Sequence, residues 1–194
     1  MMHEKYKDFT KKKNTGVFLM ILAVIVGIVV GSLNFGAGDK PVLHQYFSPV
    51  YSGNTLFDVF MNTFVSLALF AVTAFVTGLF VFGQPFGVLM LIYRGFGIGI
   101  SVSMMYCEMG FGAIPAVIIL LLPKALSAVF VSMLAVRELM RSSCTILRCI
   151  TGRGESPEKK FFRLYCIKFA VILAVSAVIS AADSLMNYIF AKLV

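Results

Sequence analysis

Long apolar segments alternate with polar, glycine-rich or proline-rich stretches along the 194 residues of the chain. A helix that crosses a bilayer needs about 20 mostly apolar residues. We therefore predict an all-α, polytopic integral membrane helical bundle of about five transmembrane helices. It forms a single membrane domain, 16–194, after a tail, 1–15. The pattern places the spans at residues 16–33, 59–82, 88–106, 113–135 and 162–190.

Glycine and proline mark the connections between these spans. Helix breakers are frequent in Asn34–Phe57, which predicts a loop. Gly83–Gly87 contains a proline between glycines and predicts a tight turn. A second short turn is expected at Cys107–Gly112. Pro123 interrupts the fourth span and predicts a kink, and Ser156 is expected to cap the last helix.

The first apolar segment allows two interpretations, since it follows a lysine-rich start. A signal peptide would carry small residues of the A-x-A type at a cleavage site. The segment 34–38, Asn-Phe-Gly-Ala-Gly, has no such site. An uncleaved first span is therefore favoured over a signal peptide.

Composition places the chain among membrane proteins. Hydrophobic residues make up 59% and charged residues 13% of it, whereas soluble domains are about 25% charged. In a soluble protein, the net charge of +8 would suggest binding to nucleic acid. Here the basic residues cluster beside the spans, where they set orientation instead.

The distribution of lysine and arginine predicts the orientation. Tail 1–15 has five such residues and segment 136–163 has seven, whereas loop 34–57 has only Lys40. Because cytoplasmic loops carry the excess of positive charge, five spans place the N-terminus in the cytoplasm and the C-terminus outside.

The basic cytoplasmic segment 136–161 mixes arginines with apolar residues. This composition is typical of a helix lying in the membrane interface. A solvent-exposed extension of the fourth span explains it equally well. In either case membrane lipids are expected partners, because each basic residue near an anionic surface contributes about 1 kcal/mol of attraction.

Small residues recur at four-residue spacing, which is typical of close helix–helix contact. Whether the contact is within one chain, with a second copy or with a partner helix is left open by the spacing. The main candidates are Gly95, Gly99 and Ser103 in the third span and Ala170, Ala174, Ala177 and Ala181 in the fifth. Gly27 and Gly31 form a further pair in the first span.

Four polar residues at membrane depth are candidates for function: Asn62, Arg94, Lys124 and Asp183. Ionisable residues in spans are costly and often mark functional sites. For Arg94, reaching the cytoplasmic surface or bonding a carbonyl is an equally ordinary role. For Lys124 and Asp183 we expect a direct contact or a shared water-filled cleft; alternatively, Lys124 satisfies carbonyls freed by Pro123. Asn62 is expected to bond a neighbouring helix.

Recognisable catalytic chemistry is missing from the sequence. It has no H-E-x-x-H, P-loop or G-x-S-x-G motif, and no nucleophile–base pair can be assembled. Its four cysteines have no metal-ligand spacing and are expected to be free thiols. We predict a non-enzyme with no catalytic residues, no metal and no cofactors. It has no nucleic-acid partner, and a homo-oligomer is possible.

Several motifs resemble those of the stage II sporulation protein M family of bacterial membrane proteins. The resemblance covers essentially the whole chain and is strongest between Asn62 and Pro123. It rests on Phe60-Met61-Asn62-Thr63, Gly83-Gln84-Pro85, Tyr93-Arg94-Gly95-Phe96-x-Ile98-Gly99, Glu108-Met109-Gly110-x-Gly112 and Leu121-Leu122-Pro123. The chain departs from the family at Lys124-Ala125, where uncharged amide side chains would be expected after the proline.

The resemblance implies a role in endospore formation. Members of the family act in engulfment, in a complex with the peptidoglycan-degrading stage II sporulation proteins D and P. The expected function is a scaffold that anchors this peptidoglycan-remodelling complex at the septal and engulfing membranes of the bacterial cell. The alternative from the residues alone is a small transporter or permease-like subunit with a polar cleft around Arg94, Lys124 and Asp183.

Overall fold

The computed structural model describes residues 2–35, 56–112, 114, 117–151 and 159–193, and every element in these ranges is helical. The predicted loop over Asn34–Phe57, apart from its ends, and the predicted cap Ser156 lie outside the described residues. Five α-helices form the body: α1 (Met2–Phe35), α2 (Leu56–Gly78), α3 (Gly83–Met109), α4 (Leu122–Ile150) and α5 (Lys159–Leu193).

The connection between α2 and α3 lies earlier than the glycine and proline pattern indicates. The turn comprises residues 79–82, and α3 already begins at Gly83. Pro85 thus lies in the first turn of α3, where the N–H that proline lacks would have had no helical acceptor. Ser143 Oγ of α4 donates to the Val81 carbonyl at 2.9 Å and fastens the turn to the bundle.

A glycine in the left-handed region ends α3. Gly110 has φ of +57°, a conformation that most side chains disfavour. Its N–H donates to the Tyr106 carbonyl, and a short 3₁₀ turn follows over Gly110–Gly112. The predicted turn over Cys107–Gly112 is therefore shorter, because α3 continues through Met109.

The fourth span is broken at Pro123. A π-helical turn, Val117–Leu121, leads directly into α4, and Pro123 lies in the first turn of α4. The segment Gly110–Ile119 and α4 are bent by 52° relative to each other. Proline tolerates this position because the N–H groups of a first turn have no partner within the helix.

Past Ala135, α4 continues without a break to Ile150. The first half of the basic segment is therefore an extension of the fourth span and not a separate interfacial helix. With 29 residues at about 1.5 Å each, α4 is ~43 Å long, longer than the ~30 Å hydrocarbon core.

Two helix pairs are joined by a central helix. α1 packs chiefly on α3, and α5 packs chiefly on α2, while α4 contacts α2, α3 and α5. The outward faces carry large apolar side chains, such as Phe18, Leu69 and Val178. Among the described residues, four helices are long and apolar enough to cross a membrane, or five if the bent segment with α4 is one span. The predicted all-α, multi-pass membrane bundle is confirmed.

Candidate functional site

Glycines close the seam between α1 and α3. A Cβ added at Gly27 would overlap the Ile92 carbonyl oxygen, and one at Gly95 would overlap the Val24 carbonyl oxygen. Gly31 and Gly99 meet backbone of the opposite helix in the same way, at Phe96 and Ile28. The two backbones therefore touch without intervening side chains, as small-x3-small spacing allows. The sequence did not show which helix the small-residue stripe of α3 contacts; the structure shows that it is α1 of the same chain.

Ser103 continues this glycine seam toward the C-terminal end of α3. Its Oγ donates to the Ser32 carbonyl of α1 at 3.3 Å, and Ser32 Oγ bonds within its own helix to the Ile28 carbonyl. Gly97 is also buried, and Ser101 Oγ donates to its carbonyl at 3.0 Å. The polar atoms of the seam are thus satisfied along the predicted stripe Gly95, Gly99 and Ser103.

An ion pair lies among α2, α4 and α5. Lys124 Nζ and Asp183 Oδ2 are 3.0 Å apart, and the side chains are 23% and 7% exposed. Thr63 Oγ1 of α2 donates to the same carboxylate oxygen at 2.9 Å. The contact that the sequence suggested for Lys124 and Asp183 is present. Its third member, Thr63, was missed, although it follows Asn62 directly and lies on the buried face of α2.

Ser184 holds the adjacent turn of α5 to the start of α2. Its Oγ donates to the Leu56 carbonyl at 2.7 Å, and this carbonyl belongs to the first residue of α2. Together with the ion pair, this bond ties the outer end of α5, in the predicted orientation, to two other helices. Such polar ties between helices contribute about 1 kcal/mol each in membranes.

Aromatic side chains close the other end of the α2–α5 contact. Phe75 of α2 stacks on Tyr165 with ring centroids 5.0 Å apart and meets Phe169 edge-on at 5.2 Å. Tyr165 is buried, and its hydroxyl donates to the Phe75 carbonyl at 2.9 Å. Gly78 makes room for that hydroxyl, since an added Cβ would overlap it. The α2–α5 seam is therefore built from side chains.

Arg94 bonds to α2. It is half-buried, and its Nη1 donates to Ser66 Oγ of α2 at 3.2 Å. The guanidinium thus bonds a neighbouring helix, which is an ordinary structural use of a polar side chain in a membrane. Of the three residues expected around a polar cleft, the structure joins Lys124 to Asp183 and gives Arg94 a different partner.

The alanine stripe of α5 faces outward. Ala170, Ala174 and Ala181 are exposed, and Ala177 is half-buried at the edge of the stripe. Among the described residues this stripe is not buried as the glycines are, because aromatic and polar residues occupy the inner face of α5. The predicted helix contact of the stripe stays a prediction. Asn62 also lies on an exposed face.

A charged cluster at the opposite end from the Lys124–Asp183 pair was missed from the sequence. Glu138 Oε1 lies 3.2 Å from Arg141 Nη1, and Glu138 Oε2 lies 2.6 Å from Lys168 Nζ of α5. A cavity of about 410 Å³ lies between α4 and α5 beside these residues. The signal in the sequence was Glu138 itself, the one acidic residue among the arginines of 136–150.

Among the residues that the structure describes, no three His, Cys, Asp or Glu side chains are placed to hold a metal ion. The four cysteines, all within the described ranges, form no disulfide: Cys107, Cys144, Cys149 and Cys166.

The helices and their apolar outer faces define a multi-pass helical membrane protein, and the predicted membrane localisation is confirmed. The family model of Stage II sporulation protein M matches residues 16–182, which is most of the chain. The chain therefore belongs to the stage II sporulation protein M family of sporulation membrane proteins, and the resemblance seen in the sequence is confirmed. The family is generally one of non-catalytic membrane proteins. Neither a curated protein nor a solved structure gives a significant match to the chain.

Proposed function

We propose that the protein is a non-enzymatic membrane scaffold that localises and anchors a peptidoglycan-remodelling complex for septal thinning and engulfment during endospore formation. Membership of the stage II sporulation protein M family carries this proposal. The expected partners are the hydrolytic stage II sporulation proteins D and P. In this proposal they carry the chemistry, and this chain supplies their position in the membrane.

The outward alanine stripe of α5 supports the proposal and gives the partners a place to bind. We call Ala170, Ala174 and Ala181 the alanine face. A surface that meets only lipid has no need of small residues, whereas close approach of a second helix requires them. The glycine stripes of α1 and α3 are occupied within the chain, so the alanine face is the small-residue surface of α5 that is open to a partner's membrane anchor.

A matched pair of substitutions on α5 tests the scaffold. Ala174→Leu adds bulk on the alanine face, while Ala182→Leu makes the same change at an exposed position about a quarter-turn round the helix. We expect Ala174→Leu to lower recovery of proteins D and P with the tagged protein from sporulating cells, and Ala182→Leu to leave recovery unchanged. Equal recovery with both variants would overturn docking on this face.

Photo-crosslinking in sporulating cells tests which molecule lies on the alanine face. A crosslinking residue at Ala174 should capture the membrane anchor of a hydrolase, and one at Leu22, exposed on the outer face of α1, should not. If Ala174 crosslinks only to a second copy of this chain, the alanine face is the contact of a homo-oligomer and not the docking site of a hydrolase.

One observation favours a second candidate, a small transporter or permease-like subunit. A mostly buried ion pair at membrane depth is costly and often lies on an ion or substrate pathway. In proteoliposomes, this alternative requires solute or proton flux that is lost in Lys124→Met. A protein that reconstitutes without flux, yet binds the hydrolases, rejects it in favour of the scaffold.

A further inference from the structure

The cavity between α4 and α5 is lined unevenly by charge. Its lining includes Arg141, Arg148 and Lys168 against a single carboxylate, Glu138. The two ion pairs of Glu138 hold Arg141 and Lys168 in place. Arg148 is exposed, and no carboxylate among the described residues pairs with it. The lining thus has two positive charges in excess of its negative charge.

Hydroxyl groups add hydrogen-bonding capacity to this basic cavity. Thr145 and Ser142 line it as well. Ser142 is 1% exposed, and its hydroxyl lies within hydrogen-bonding reach of the Tyr165 hydroxyl, another residue of the lining. A hydroxyl can both donate and accept, so these groups can also donate to an acceptor oxygen of a ligand. Arginine, lysine and hydroxyl donors together match a phosphate group.

The position of the cavity matches the depth of lipid headgroups. The predicted fourth span ends at residue 135, and Arg141 and Arg148 follow on the extension of α4, where basic residues mark the cytoplasmic boundary of the membrane. The apolar span of α5 begins at Phe161, on the wall of the same cavity. Leu164 lines the cavity and is 57% exposed, so apolar surface continues from the cavity toward the bilayer.

We propose that this cavity binds the phosphate-bearing headgroup of an anionic phospholipid from the leaflet that faces the basic segment. Arg141, Arg148 and Lys168 contact the phosphate, Glu138 positions two of these cations, and the lipid chains lie along Leu164. A volume of about 410 Å³ is within the roughly 300–1,000 Å³ of small-molecule sites. The binding is independent of the partners proposed above, since it uses the inner ends of α4 and α5 and not the alanine face.

Lipid retention tests the proposal on the purified full-length protein. Mixed micelles offer phosphatidylglycerol and phosphatidylcholine in equal amounts, and mass spectrometry counts the lipid bound. Arg148→Gln and Lys168→Gln should each lower retained phosphatidylglycerol about fivefold, since one basic residue is removed from an anionic contact. Arg163→Gln, an exposed cation of α5 that does not line the cavity, should leave retention unchanged. An equal loss in Arg163→Gln, or equal retention of both lipids by the wild type, would overturn the site.

Thiol labelling gives a second measurement that does not depend on a variant. Cys144 lines the cavity, whereas Cys149 lies on the same helix outside it, and both are half-buried thiols outside any disulfide. Phosphatidylglycerol in nanodiscs should slow maleimide labelling of Cys144 relative to phosphatidylcholine, with Cys149 labelled at the same rate in both. Equal labelling of Cys144 in the two lipids argues against the site. Protection by inorganic phosphate as strong as that by the lipid would assign it to free phosphate instead.

Discussion

The α1–α3 seam and the α2–α5 seam solve the same packing problem in opposite ways. In the first, Gly27 and Gly95 let backbone meet backbone. In the second, Tyr165 and Asp183 fill the space between helices and bond across it. A seam without side chains gains close van der Waals contact but leaves no volume that can adjust. A seam built from side chains tolerates change at one position while the others hold it.

The largest expected effect is in the glycine seam. Gly27→Ala drives a Cβ into the Ile92 carbonyl and should lower the free energy of unfolding by about 3 kcal/mol, since overpacking forces the helices apart. Gly16→Ala is the matched control on the same helix, because an added Cβ there meets nothing within 4 Å. It should not lower the free energy of unfolding, because alanine is the better helix former. Unfolding in mixed micelles, followed by circular dichroism, measures both; equal effects would remove the distinction between the seams.

The ion pair should give the largest effect in the side-chain seam. Lys124→Met removes the ion-pair partner of the buried Asp183 carboxylate and should cost ~2 kcal/mol, reduced from a fully buried pair because Lys124 is 23% exposed. The double variant Lys124→Met with Asp183→Leu should cost less than the sum of the two single changes. Strict additivity in the same unfolding assay would show that the two side chains are not coupled.

A smaller effect is expected where the aromatic cluster bonds to backbone. Tyr165→Phe keeps the ring contacts with Phe75 and Phe169 and removes the hydroxyl, which donates to the Phe75 carbonyl and lies beside Ser142. The cost should be about 1 kcal/mol, the usual net value of one hydrogen bond. Tyr188→Phe, at an exposed position of the same helix, is the control and should be neutral. A larger loss for Tyr165→Phe would mean that the hydroxyl supports more than this one bond.

The alanine face should show the smallest effect on stability. Ala174→Leu lies on the outer side of α5 and should change the free energy of unfolding by less than about 0.5 kcal/mol. The same bulk in the glycine seam, as Gly99→Leu, should prevent stable folding, because a Cβ there already overlaps the Ile28 carbonyl. If Ala174→Leu destabilises the protein, the alanine face packs against another part of the same chain.

Sequence patterns predicted close contacts well but not their partners. Four-residue spacing identified Gly95 and Gly99, and the same spacing identified Ala170 and Ala174, yet the first pair is buried and the second exposed. The spacing shows only that one face of a helix carries small side chains. Which side turns inward depends on the rest of the helix, and on α5 the buried Ser176, Ser180 and Asp183 decide it.

Of the two ion-paired groups, one could be predicted from the sequence and the other could not. Lys124 and Asp183 could be paired from the sequence because charges at membrane depth are few and each needs a partner. The Glu138–Lys168 pair could not, since both residues lie among many exposed charges near the membrane surface. Pro85 misled the placement of a turn, because proline is as suitable in the first turn of a helix as before it.

The chain order of the two seams has a consequence for synthesis. Gly27 meets Ile92, so the α1–α3 contact is complete once the first 109 residues have entered the membrane. Thr63 must wait for Asp183, 120 residues later. During translation, therefore, the first pair of helices can close while α2 still presents its polar face, with Thr63, to the bilayer. Emergence of α5 from the ribosome is the event that covers this face.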